Sequence, residues 1–144
     1  MKRANTHILV VDHDPHTREC ISSLLNDLGF PCVDEARDAG DAIDRFSHTP
    51  YDMVITELGL PQCNGLELLH AIRHGTYRKD ATVLMLGEAV SPRTVVDVLY
   101  AGANGFMAKP LIPHTFCAKV LRLVGRLAPD AFISPNRSDF WAQG

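Results

Sequence analysis

Residues 8–15 read ILVVDHDP, and this stretch decides the fold class. The apolar run within residues 7–12 is too short for a helix and is typical of a strand covered on both faces. Asp14 and Pro15 follow it, an N-cap residue before a proline, and this pair favours a helix start. The stretch therefore predicts a strand, a short turn and a helix.

The same order of strand and helix repeats along the chain. Apolar runs of strand length occupy residues 7–12, 32–36, 52–56, 82–86 and 105–108. A segment of helical period follows each strand. The first such segment ends at Gly29, and the second runs from Asp38 to just before Pro50. The fourth runs from Ser91 to about Gly102, and the fifth covers residues 113–127. Leu66, Leu69 and Ile72 mark the third helix, and Ala42, Ile43 and Phe46 the apolar stripe of the second. Five such units predict a parallel sheet with right-handed crossovers and helices on both faces.

Polar residues end the predicted strands, where open parallel sheets place their functional sites. Asp12, His13 and Asp14 follow the first strand, Glu57 the third, Gly87 and Glu88 the fourth, and Lys109 the fifth. We expect these residues to share one edge of the sheet.

Composition fits one ordinary soluble domain. The chain has 144 residues, of which 46% are hydrophobic and 22% charged, and its formal charge is −3. A negative charge of this kind does not favour a nucleic-acid binder. No apolar run approaches the roughly 20 residues that a membrane helix needs. We therefore expect a cytoplasmic protein that binds neither nucleic acid nor a membrane. The four cysteines have no CxxC spacing and are interpreted as small buried apolar residues.

The last 17 residues break the pattern. Residues 128–144 contain two prolines and four large apolar residues, which are Phe132, Ile133, Phe140 and Trp141. We predict a domain over residues 1–127 and a tail or linker over 128–144, whose apolar residues dock on the domain or on a partner.

Three segments in matching order resemble the receiver domains of bacterial response regulators. They are ILVVDHDP, YDMVITELGLPQCNGLELL and AGANGFMAKPL, and the resemblance covers about residues 6–127. It implies a flavodoxin-like, doubly wound α/β fold, (βα)5, with strand order 2-1-3-4-5. It also implies a phosphorylatable aspartate, a Mg²⁺ site, a hydroxyl residue, a lysine, and a switch face formed by the fourth helix, fifth strand and fifth helix.

The resemblance transfers to this chain only in part. The first acid is present as Asp12, and the lysine as Lys109 with Pro110 after it; Phe106 stands at the aromatic switch position. Three chemical positions differ: His13 replaces the second acid, Glu57 the phospho-accepting aspartate, and Gly87 the hydroxyl residue.

Each difference weakens the same reaction. Glu57 is one methylene longer than aspartate, and misplacing a reacting group by about 1 Å can cost about 10²-fold in rate. Gly87 offers no hydroxyl to a phosphoryl oxygen, and His13 is a poor ligand for Mg²⁺, which prefers oxygen donors. We therefore expect a degenerate, non-enzymatic pseudo-receiver without a Mg²⁺ cofactor.

Two further readings of the site stay open. In one, Glu57 and Lys109 form an ion pair that fixes a switch state without phosphorylation, because two acids, a neutral His13 and one lysine nearly balance. In the other, Asp12, His13 and Glu57 hold Zn²⁺ or Mn²⁺ in a metal or small-ligand sensor. A receiver that accepts phosphate by an atypical route is also an alternative.

The fourth helix is unusually apolar. It carries Val95, Val96, Val98, Leu99 and Tyr100, more than one helix face can bury. We expect some of them at the surface, either as a docking face or beneath the tail aromatics. The expected partner is another signalling protein (a histidine kinase, a phosphotransfer protein or an output protein), and a homodimer is an open alternative.

Overall fold

The structure is a computed structural model that describes residues 3–76, 78–88 and 90–127. The strands are β1 Ile8–Val11, β2 Val33–Ala36, β3 Met53–Glu57, β4 Thr82–Gly87 and β5 Gly105–Ala108. The helices are α1 Pro15–Asp27, α2 Ala39–His48, α3 Gly65–Arg73, α4 Pro92–Tyr100 and α5 Pro113–Leu127. A short 3-10 turn, Arg3–Asn5, precedes β1. The predicted tail, residues 128–144, lies outside the described residues.

The five strands form one parallel sheet in the order β2-β1-β3-β4-β5. This confirms the predicted (βα)5 flavodoxin-like fold. The adjacent strands β3 and β1 mark the point where the strand order reverses, and the crevice at such a point is where ligands bind in open α/β sheets.

Two apolar layers cover the sheet. Side chains alternate along each strand, so Ile8 and Val10 pack with α1 and α5, whereas Leu9 and Val11 pack with α2, α3 and α4. Both faces are buried, and for this reason β1 is continuously apolar in sequence. The inward residues predicted for α5 are all buried: Phe116, Val120, Leu123 and Val124.

Helix starts follow the predicted caps. The Asp14 side chain accepts a hydrogen bond from the His16 amide, and Ser91 and Asp38 cap α4 and α2 in the same way. Gly29 adopts a φ of +97° just after α1, which a side chain would disfavour. Asn64 caps α3 by accepting a hydrogen bond from the Glu67 amide.

Some predictions of burial are wrong. Ile43 is 45% exposed, because the buried stripe of α2 consists of Ala39, Ala42 and Phe46. Cys20 is exposed and the other three cysteines are only partly buried, all of them free thiols. The fourth helix, by contrast, behaves as predicted: it ends at Tyr100, close to Gly102, and only Val98 of its apolar residues is fully buried, which confirms that some of them lie at the surface. Within the described part of the chain, no helix combines the length and apolar character that crossing a membrane requires.

Candidate functional site

The carboxyl ends of four strands bring the predicted site residues together. Asp12 directly follows β1, Glu57 ends β3, Gly87 ends β4 and Lys109 directly follows β5. Between them lies a cleft of about 240 Å³. Its lining residues are His13, Glu57, Leu58, Gly59, Leu86, Gly87, Glu88, Val90 and Lys109.

Lys109 lies between two buried carboxylates. Its Nζ donates a hydrogen bond to Asp12 Oδ2 at 2.7 Å and lies 3.4 Å from Glu57 Oε1. Burial lowers the pKa of Lys109, but the hydrogen bonds and charges of Asp12 and Glu57 outweigh burial and raise the pKa above its usual value. The expected contact between Glu57 and Lys109 is therefore present, although the closer partner of the ammonium is Asp12.

Glu57 is bound most closely by His13. Its Oε2 accepts a hydrogen bond from the His13 main-chain amide at 2.6 Å, and His13 Nδ1 lies 2.5 Å from the same oxygen. The hydrogen bond and the charge of Glu57 raise the pKa of His13 above 6.5, with a smaller contribution from Asp12. The site therefore favours the cationic form of His13.

Asp12 is fixed by contacts that the sequence did not reveal. Its Oδ1 accepts a hydrogen bond from the Asp14 main-chain amide at 2.9 Å, and its main-chain oxygen accepts one from Arg18 Nη1 at 2.7 Å. Arg18 Nε also donates to Glu35 at 3.2 Å. Arg18 lies one helical turn after Asp14 on α1. This spacing is the only feature of the sequence that could have indicated its hydrogen bond to the main chain of Asp12.

The donor set does not fit Mg²⁺. Asp12, His13 and Glu57 bring three ligand atoms within 4.8 Å of one another. However, the four carboxylate oxygens already accept bonds from Lys109, His13 and the Asp14 amide. A divalent cation would face the ammonium of Lys109 and a nitrogen donor where Mg²⁺ prefers oxygen. Zn²⁺ or Mn²⁺ bound to these three residues would likewise face the ammonium of Lys109.

The Gly87 position is closed by Phe106. A Cβ built on Gly87 would lie 3.0 Å from Phe106 Cζ and 3.1 Å from Val90 Cγ1. Phe106 is partly buried and packs against the apolar layer on the α2–α4 side of the sheet. The aromatic ring thus lies where a hydroxyl side chain on β4 would project. Pro110 follows Lys109 through a cis peptide bond.

Known proteins resemble this chain over most of its length. A model described as "Response regulator receiver domain" matches residues 8–121. Chemotaxis protein CheY-3 of Vibrio cholerae is 32% identical over 123 residues, which are 85% of this chain and 95% of that protein. Chemotaxis protein CheY of Pseudomonas aeruginosa is 30% identical over 120 residues, 83% of this chain and 97% of that one.

Solved structures show the same similarity. The structure of Vibrio cholerae CheY4 superimposes with a TM-score of 0.76 at 28% identity, covering 82% of this chain and 98% of that one. The receiver domain of a signal transduction histidine kinase from Syntrophus aciditrophicus gives a TM-score of 0.77 at 25% identity, covering 85% and 92%.

Proposed function

The chain belongs to the response regulator receiver domain family, and from that premise we propose that it is a cytoplasmic signalling module that acts by protein–protein contact without being phosphorylated. It is a receiver domain of the two-component type, similar to CheY. The proposal concerns how such a domain works when its phosphate site is altered.

The bonding of Glu57 carries the proposal. Attack on a phosphoryl donor needs a carboxylate oxygen that is aligned with the phosphorus, together with cations and donors for the charge that develops. In this chain Glu57 Oε2 accepts two bonds from His13, and Oε1 faces Lys109. A reacting Glu57 would have to break these contacts, and a Mg²⁺ ion in the cleft would face the ammonium of Lys109.

The packing of Phe106 supports a fixed state. Its ring already occupies the space beside Gly87, and Lys109 is already bound to both carboxylates. The contacts that phosphorylation would have to create are thus supplied by Glu57, Lys109 and Phe106. We infer that Phe106, Lys109 and Pro110 form a static switch segment.

The proposed partner surface is the face formed by α4, β5 and α5. Three apolar side chains of α4 are exposed there: Val96, Leu99 and Tyr100. Exposed apolar side chains of this kind mark interaction sites. The module is proposed to be non-enzymatic, with a histidine kinase, a phosphotransfer protein or an output protein as its partner.

Mass spectrometry after incubation with acetyl phosphate and Mg²⁺ tests the proposal. We expect no mass increase for the natural chain, because its carboxylate is bound and its metal site is not competent. The matched control is the double variant His13→Asp, Glu57→Asp, which restores the acid pair and the phospho-accepting aspartate of the family without altering the space beside Phe106, and should gain one phosphoryl group. A phosphoryl adduct on Glu57 of the natural chain would contradict phosphorylation independence.

A further inference from the structure

An apolar stripe runs along the exposed side of α4. Val96, Leu99 and Tyr100 are spaced by three and four residues, so they lie on one face of the helix. Their exposed fractions are 58%, 44% and 93%, whereas Val98 on the opposite side is fully buried. We call these three residues the α4 stripe. They are three of the five large hydrophobic residues that are exposed in the described part of the chain.

The end of α5 lies at the same edge of the sheet as the most exposed residue of the stripe. Each helix runs antiparallel to the strands of the parallel sheet. Consequently α4 ends at Tyr100 and α5 ends at Leu127 on the edge opposite the cleft. Residue 128 therefore continues the chain from the edge at which Tyr100 is exposed.

The segment that follows α5 has matching chemistry. Residues 128–144 contain Phe132, Ile133, Phe140 and Trp141, two apolar pairs eight residues apart. Fully extended, 17 residues span at most about 60 Å, whereas the nine residues of α4 extend over about 14 Å. The segment is long enough to pass the edge strand β5 and follow the stripe.

The size of the stripe favours a tethered segment over a second copy of the chain. A standard interface buries roughly 800 Å² on each partner, and three partly exposed side chains supply much less. A segment on a short tether acts at an effective concentration in the millimolar range. A small apolar contact is then sufficient within one chain but insufficient between two.

We propose that residues 128–144 bind to the α4 stripe of the same chain, with Trp141 or its apolar neighbours covering Leu99 and Tyr100. The chain then covers part of the surface through which it meets its partner, and a partner must displace the segment. This consequence for partners rests on the proposed function, whereas the intramolecular contact does not.

Trp141 is the only tryptophan of the 144-residue chain, so its fluorescence reports on this contact directly. We expect the emission to be blue-shifted, and acrylamide quenching to be weaker, relative to a free peptide of residues 128–144. Both should return to the values of the free peptide in the double variant Leu99→Ser, Tyr100→Ser. If the double variant does not fold, the single variant Val96→Lys serves instead, because lysine is a good helix former. It too should shift the Trp141 emission and quenching toward the values of the free peptide.

Ile43→Ser is the matched control, because Ile43 is an exposed apolar residue on α2 at a groove formed with Ile72 and Gly75. It should leave the Trp141 emission unchanged. Three results would overturn the proposal: an emission equal to that of the free peptide, an emission that changes only with Ile43→Ser, or a blue shift that disappears on dilution. None of these results alters the phosphorylation test, so the two proposals fail separately.

Discussion

At the scale of single residues, two buried carboxylates of the site lie beside basic groups of the chain itself. Asp12 and Glu57 are both buried, and two unpaired buried carboxylates would cost several kcal/mol. The Lys109 ammonium lies within ion-pair distance of both carboxylates, and Glu57 favours the cationic form of His13 by raising its pKa. The acidic and basic groups of the site are therefore paired with one another within the chain.

Replacing the ammonium tests this balance. We expect Lys109→Met to lower the free energy of unfolding by about 3–5 kcal/mol, because two buried carboxylates lose their shared cation. The same substitution in a Glu57→Gln background should cost less, with a coupling on the order of 1 kcal/mol. Urea unfolding of the four proteins in the cycle gives both values.

The control for this cycle is Lys79→Met, at an exposed lysine away from the cleft. It should change the free energy of unfolding by less than about 0.5 kcal/mol. Strictly additive effects of Lys109→Met and Glu57→Gln would mean that Glu57 and Lys109 do not interact, and the static switch would lose its basis.

At the scale of secondary-structure elements, Arg73 joins the end of α3 to two loops, the one between α3 and β4 and the one between α4 and β5. Its guanidinium donates hydrogen bonds to the main-chain oxygens of Gly102, Lys79 and Ala81, and to the Asn104 side chain. Burial lowers the pKa of Arg73. These bonds fix the α4–β5 loop, from which β5 carries Phe106 and Lys109 toward the site.

Truncation of this residue should therefore destabilise the fold. We expect Arg73→Ala to lower the free energy of unfolding by roughly 2–4 kcal/mol, because several partly buried carbonyl groups lose their donors. Arg73→Lys should recover only part of the loss, since an ammonium cannot reproduce the planar fork. Thermal unfolding gives the order of stability, which should be the natural protein first, then Arg73→Lys, then Arg73→Ala.

Arg45 on α2 provides the comparison, because its guanidinium is exposed and forms an ion pair with Asp41 one helical turn away. Arg45→Ala should stay within about 1 kcal/mol of the natural protein. If Arg73→Ala were equally mild, the connection between α3 and the α4–β5 loop would rest on packing alone.

At the scale of the whole molecule, the sequence predicts the fold better than the bonding at the site. Alternation of short apolar runs with helical segments is a local signal, so all five strands are placed to within one or two residues. The nearest partner of Lys109 is Asp12, 97 positions away. Such a pairing depends on which strands are neighbours and on side-chain reach, and neither can be read from spacing along the chain.

The pH dependence of global stability connects His13 to the whole fold. The hydrogen bond and charge of Glu57, with a smaller contribution from Asp12, raise its pKa against burial and Lys109, so the folded-state pKa lies above the unfolded value of about 6.5. Its contribution to stability is fully present below that value and is lost as the pH rises through the folded-state pKa. We therefore expect the free energy of unfolding of the natural protein, relative to His13→Asn, to fall as the pH rises above about 6.5.

Urea unfolding at a series of pH values measures this difference, in which the other titrating groups cancel. Because the imidazole is 56% exposed, the effect should be moderate and should shrink with added salt. His114→Asn, at an exposed histidine outside the cleft, should give a curve parallel to that of the natural protein. In a Glu57→Gln background the His13→Asn difference should become nearly independent of pH. A difference that grows as the pH rises would show that His13 is bound as the neutral imidazole, and the internal charge balance of the site would then rest on Lys109 alone.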